Sequence, residues 1–165
     1  MTAVIDVAAA LARMVEQLQP ALKNNPLMIG IHTGGVWVAE HLHQKLGLKE
    51  ALGTLDISFY RDDFTRVGMN PQVRTSHLPV NVEDRHLILV DDVLHTGRTI
   101  RAALNEIFDY GRPASVMLAC LVERGGRELP IEPQVVGEHA KLAKNQHVKL
   151  LGPGKLELRI QEGNG

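Results

Sequence analysis

Two adjacent carboxylates, Asp91 and Asp92, follow the apolar run Leu87-Ile88-Leu89-Val90, and Thr96-Gly97-Arg98-Thr99 comes shortly after. Such an apolar run reads as a buried strand that aims both acids out of its carboxyl end. Through Val93, Leu94 and His95 the chain then turns into a helix. Its apolar residues Ile100, Ala103, Leu104, Ile107 and Phe108 fall at i, i+3, i+4, i+7 and i+8. Free backbone N–H groups and the positive end of the helix dipole make that turn a cradle for phosphate. Gly97 allows close backbone approach, and the hydroxyls of Thr96 and Thr99 add hydrogen bonds. A sugar phosphate suits both halves, with phosphate on the loop and ring hydroxyls or magnesium on the carboxylates. An ordinary capped helix with solvated aspartates is the competing account of a lone T-G-x-T. The strand, the acids, the cradle and the long helix in one run outweigh it. Neither G-x-x-x-x-G-K-[ST] nor G-x-G-x-x-G occurs.

The elements that must position these residues are legible in outline. Helical spacing runs from Val4 to Leu22, and a short buried strand is expected at Leu27 to Ile31. The turn His32-Thr33-Gly34-Gly35 leads into a helix from Val36 to Leu46, stopped by Gly47. Further strands are expected at Leu55 to Phe59, Val116 to Val122 and Leu156 to Ile160. Residues 60–79 show no period, which marks a functional lid or a disordered loop. Strand, turn and helix recurring in this order predict an open, mostly parallel α/β sheet flanked by helices. Ligands of such sheets bind beyond the carboxyl ends of the strands, so residues 32–35 and 91–99 are where chemistry is expected.

Composition sets the bounds. The 165 residues suit a single domain over 1–165, with 44% hydrophobic and 22% charged residues. No apolar run approaches the 18 or so residues of a membrane span. The first residues do not read as a secretory signal, and the lone Cys120 excludes a disulfide framework, so a cytoplasmic protein is expected. Eighteen basic against 19 acidic residues give a net charge of −1 and no global field for nucleic acid. Aromatics at 4% are thin for base stacking.

The run Ile88 to Thr99 resembles the phosphoribosyl-pyrophosphate (PRPP) motif of the type I phosphoribosyltransferases. Tyr60-Arg61-Asp62-Asp63, Thr99 to Leu104, Gly111 to Ser115 and Leu121 to Ile131 resemble its PyrR branch. That branch comprises pyrimidine-operon attenuation proteins with uracil phosphoribosyltransferase activity. The resemblance implies a type I phosphoribosyltransferase-like fold with a small hood and a flexible lid. It implies that Asp91 and Asp92 are the catalytic pair on the ribose hydroxyls, within a PRPP-binding stretch Val90 to Thr99. It further implies a pyrophosphate loop at His32, Thr33, Gly34 and Gly35, and a lid over 61–80 carrying Arg61, Asp62, Asp63 and Arg74. Magnesium would arrive with PRPP and not on a protein site of its own. Uracil would be the acceptor and UMP the product, in a cytoplasmic homo-oligomer. A regulator that senses nucleotide or PRPP without catalysis is the second implied reading. A receiver-type domain fits poorly, because receivers carry their acidic pair after the first strand.

The chain departs from that branch in two places. Relatives usually carry Lys-Thr-Arg-Gly where this chain has His32-Thr33-Gly34-Gly35, so two cations beside the leaving pyrophosphate are replaced. Feeble turnover is expected, with Gly34→Arg restoring activity unless the backbone there excludes a side chain. Gly126, Glu132 and Glu138 stand where the branch carries RNA-facing basic residues, while Arg127 is kept. Acid opposite RNA phosphate is repulsive, which argues against RNA binding. Asp62 and Asp63 fit lid salt bridges as well as ligands. Trp37 reads as a core or interface anchor, and His41 and His43 lie on different helix faces. Residues 139–149, with Lys141, Lys144, His147 and Lys149, read as solvated surface.

Overall fold

A parallel sheet needs both faces covered, and its strands are therefore apolar on both sides. The computed structural model describes residues 4–57 and 76–163. Its main sheet has the order β3-β2-β4-β5-β6, with every pairing parallel. The strands are β2 (Leu27–Ile31), β3 (Gly53–Leu55), β4 (His86–Leu94), β5 (Ser115–Glu123) and β6 (Val135–His139). Helices α1 (Val7–Leu18) and α2 (Gly34–Leu46) cover one face, where Met14, Leu18 and Leu42 pack on Met28, Ile88 and Leu121. Helix α3 (Arg98–Tyr110) covers the other face, with Ile100, Ala103 and Ile107 against Ile29, Leu89 and Cys120. Burial and the nearby Asp91 push the Cys120 thiol far up, so it stays protonated. A small antiparallel sheet, β1 (Val4–Ile5), β8 (Glu157–Glu162) and β7 (Gln146–Leu151), docks through Leu150 and Leu158. The expected open, mostly parallel α/β sheet with a small hood is what the chain forms.

Several boundaries differ from expectation, each for a physical reason. Val4 and Ile5 belong to a strand paired with Leu158 and Arg159, because Asp6 caps α1 by accepting from the Ala9 N–H at 3.0 Å. Strand β4 does not stop at Val90 but runs through Asp91 and Asp92 to Leu94, in register with β5 as far as Glu123. The ladder with β5 outweighs the poor strand propensity of two aspartates. Strands β6 and β7 went unanticipated, since Gly137 interrupts the first and polar residues alternate through the second. The free edge of β6 is covered by α1. Arg13 Nε donates to Gly137 O at 2.6 Å, and Gln17 both donates to Val136 O and accepts from its N–H. Ser58-Phe59 of the expected strand 55–59 and the lid residues Arg61, Asp62, Asp63 and Arg74 lie outside the described residues.

The two chain ends that flank 58–75 are stitched together. Thr54 and His77 exchange two backbone hydrogen bonds of 2.8 Å. Ser76 Oγ accepts from the Asp56 N–H at 3.1 Å and donates to Glu106 Oε2 at 2.5 Å. Glu106 is 9% exposed, and burial first, then Asp56 and Asp109, raise its carboxyl above the usual range against the Ser76 hydrogen bond. A carboxyl raised in the folded state favours folding while protonated and loses that contribution as pH rises through its folded value. Glu106→Gln keeps an acceptor for Ser76 and removes the titration. The variant should therefore gain stability over the parent as pH rises from the ordinary glutamate range towards neutrality. Thermal unfolding of both across that range checks this, and parallel curves would show that Glu106 does not carry the effect.

Candidate active site

Strand β2 is joined on one side to β3 and on the other to β4, so the chain reverses its winding direction across it. A crevice opens at such a switch point, beyond the carboxyl ends of the two diverging strands. A cleft of about 490 Å3 lies there. It brings His32, Thr33 and Gly34 from the turn after β2 together with Asp91, Asp92 and Val93 of β4 and Thr99 of α3. Val90 and Leu94, at 0% and 1% exposure, are core residues and contribute only backbone to this region.

Asp91 is 5% exposed, which does not fit the competing account of solvated aspartates. Its Oδ1 accepts from the Asp92 N–H at 2.9 Å, and Asp92 Oδ1 accepts from the Val93 N–H at 2.8 Å. These local bonds fix the two carboxylates in different directions while β4 continues past them. The start of α2 presses against the same strand. A Cβ on Gly35 would lie 2.7 Å from Val90 O, and one on Gly34 would lie 2.8 Å from Asp92 Cγ and closer still to Oδ2. Gly34 does not have a positive φ. What excludes a side chain there is the Asp92 carboxylate, not the backbone conformation.

Gly97 adopts φ +95°, a conformation that favours glycine, and caps α3 through its carbonyl, which accepts from Arg101 N at 3.0 Å. The Arg98 N–H donates to Thr96 Oγ1 at 3.2 Å. Residues 127–131 grip this loop from outside. The Glu128 and Leu129 N–H groups both donate to Thr96 O, at 2.9 and 3.3 Å, and Arg127 Nη1 donates to His95 O at 2.9 Å. The Arg98 side chain is paired with Glu128 at 2.8 Å. Burial, then the Arg124 charge, lowers the pKa of His95, so it is neutral at neutral pH and adds no cation to the loop.

Among the residues that line the cleft, sequence reasoning missed Asp56, Lys149 and Trp37. Asp56 follows β3, just as the two recognised turns follow β2 and β4, and that parallel was the available signal. Lys149 enters because β7 folds over the crevice, which no local pattern announces, and Trp37 enters from the first turn of α2. Trp37 accordingly faces a cleft, and Lys149 is not merely solvated surface. Among the described residues, no group of three or more His, Cys, Asp or Glu is placed to hold a metal ion. No helix among them is long and apolar enough to cross a membrane.

The sequence profile of the phosphoribosyl transferase domain matches residues 1–148. "Bifunctional protein PyrR" of Nitrosococcus oceani is 65% identical over 151 residues, covering 90% of this chain and 83% of that protein. The protein of the same name from Pseudomonas aeruginosa PAO1 is 57% identical over 155 residues, covering 92% and 91%. Among solved structures, a purine phosphoribosyltransferase from Pyrococcus horikoshii aligns with a TM-score of 0.61 at 23% identity, over 82% of this chain and 84% of that one. A hypoxanthine-guanine phosphoribosyltransferase from Bacillus anthracis aligns at 0.66 and 16%, over 85% and 83%. These two share the fold. Taken with the crevice geometry, the matches place the chain in the phosphoribosyl transferase domain family and, within it, in the PyrR group.

Proposed function

We propose that the chain transfers the phosphoribosyl group of PRPP to uracil, giving UMP and pyrophosphate, as a cytoplasmic homo-oligomer. The observation that carries this reading is the convergence of His32, Thr33, Gly34, Asp91, Asp92 and Thr99 on one crevice. In the transfer, the bond from C1′ to the pyrophosphate oxygen breaks, the bond from C1′ to uracil N1 forms, and N1 loses its proton. Positive charge develops on the ribose ring meanwhile. Asp91 is buried and its Oδ1 is held by a backbone N–H, so its carboxylate meets ribose hydroxyls without reorganising. Loop 96–99 takes the 5′-phosphate on its N–H groups, and the first turn of α2 offers N–H groups to pyrophosphate. Positioning of this kind supplies most of the acceleration.

Magnesium suits the donor set, because it takes one or two carboxylates and fills its other positions with water and substrate phosphate. Asp56, Asp91 and Asp92 supply hard oxygens to the cleft. Bound with PRPP, the ion neutralises charge on the leaving pyrophosphate. Lys149 is the ammonium that reaches the same cleft, and among the described residues it makes no ion pair.

The RNA-binding half of a PyrR-like role has little support on the surface. Arg13 is neutralised by Glu138 at 2.6 Å and Arg127 by Glu123 at 2.7 Å, while Glu132 is 77% exposed. A regulator acting through PRPP or nucleotide binding without catalysis is the alternative that a weak leaving-group site favours.

A radiolabelled uracil assay with PRPP and magnesium, run beside hypoxanthine and orotate, tests the assignment directly. Uracil should be the acceptor used, and a preference for either control would overturn it. Turnover should fall below the enzyme median of about 10 per second, since a lost transition-state donor costs about 100- to 1000-fold. A parent rate at that median would show that the arginine is not needed. Gly34→Arg should lower activity, because its side chain displaces the Asp92 carboxylate. For the acids, Asp92→Asn should weaken PRPP binding at least about tenfold in calorimetry with little change in unfolding midpoint. Gly34→Ala should reach the same carboxylate, so Gly34→Ala with Asp92→Asn should be no worse than the poorer single variant. Additive losses would mean that the two residues act separately. Finally, affinity for the chain's own pyrimidine-leader RNA should exceed that for a scrambled hairpin by less than about a thousandfold at physiological salt. Filter binding at two salt concentrations reads this, and a larger ratio would restore RNA recognition.

A further inference from the structure

A phosphate cradle made of backbone N–H groups works only while the loop keeps its shape, and Gly97 has no side chain with which to hold it. The holding is done from outside, by a residue whose type suggested contact with RNA. The Arg127 guanidinium donates in three directions: from Nη1 to His95 O at 2.9 Å, from Nε to Ile131 O at 2.9 Å, and from Nη2 to Glu123 Oε2 at 2.7 Å. His95 precedes the loop, Glu123 ends β5, and Ile131 packs over Gly97, where a Cβ would lie 3.1 Å from Cγ1. One rigid fork thus ties loop, outer segment and sheet together. Glu123 is kept ionised for this task. Burial works against its charge, but Arg127, His139 and the Gly125 N–H at 2.6 Å hold its carboxyl below the usual range. The Arg127 side chain is 16% exposed, so little of it is offered to a partner.

We propose that Arg127 is a positioning residue for the phosphate loop, fixing 95–98 in the shape that receives the 5′-phosphate, and is not a cation for RNA. The proposal rests on the assignment of loop 96–99 to that phosphate made above. It separates a fork, which spans several acceptors, from a point charge, which does not. Arg127→Gln loses the span and the charge, while Arg127→Lys keeps the charge alone.

Calorimetry of UMP and uridine binding to the full chain isolates the loop, because the two ligands differ only in the 5′-phosphate. The parent should prefer UMP. Arg127→Gln and Arg127→Lys should each cut that preference at least about tenfold, with uridine affinity unchanged. If Arg127→Gln does not fold, Arg127→Lys carries the same readings. A variant that keeps the parent's preference would overturn the positioning role and leave the site assignment standing. Recovery in Arg127→Lys but not in Arg127→Gln would show that charge at a distance suffices, which overturns it too. Equal weakening of uridine and UMP would mean general damage and no specific role. A parent with no preference for UMP would remove the phosphate assignment itself, and this proposal with it.

Discussion

The site depends on how closely the start of α2 sits against β2 and β4. Gly30 lets the helix approach until a Cβ would lie 2.8 Å from Ala39 Cβ and 2.9 Å from Val36 Cα. Gly35 does the same against the backbone of Val90, and Gly34 against Asp92. With side chains at these positions the helix would stand off the sheet, and the turn at 32–35 would leave the crevice that holds the aspartates. Protein interiors resist such displacement, because packed elements transmit strain and do not absorb it locally. Gly34, which deprives the turn of one cation, is thus also one of the residues that bring its backbone to the carboxylates.

Residue type announced the strand and cradle of 87–99 because strong local signals agreed there: β-branched apolar residues, a glycine in the turn, and a helix of clear period. Leu27 to Ile31 was legible for the same reason, being buried along its whole length. The continuation of β4 was not. Asp91 and Asp92 have poor strand propensity, and only the partner strand, paired as far as Glu123, decides that the ladder carries on. Burial of Asp91 follows from that extension and was equally hidden. Lys149 reaches the cleft through β7, whose pairing with β8 comes from residues at the far end of the chain. Non-local contacts of this sort leave no periodic trace.

Charge on the outside of the described residues is mostly spent in pairs. Arg85 with Glu50, Arg98 with Glu128 and Arg13 with Glu138 are partly exposed pairs, each of modest energetic value. Among the described residues, Asp56, Asp91, Asp92 and Lys149 are the carboxylates and the ammonium that line the crevice. A trianionic or tetra-anionic ligand alone would be repelled by such a wall. One that arrives with magnesium presents a cation to the carboxylates and its phosphates to backbone N–H groups, which is the complement this wall offers.

The segment from Arg127 to Ile131 gives the likeness to the PyrR group its structural sense. Its N–H groups, its arginine and its isoleucine all converge on loop 95–98. A segment so engaged is constrained by loop 95–98 whatever else its surface touches. Glu138 stands at the edge of this arrangement, paired with Arg13, while Glu132 is 77% exposed and its carboxylate lies 3.9 Å from Arg127 Nε. Acidic residues can therefore replace basic ones on that outer face while Arg127 stays. The two halves of the motif answer to different constraints: the inner residues to loop geometry, the outer ones to whatever the face meets in solution.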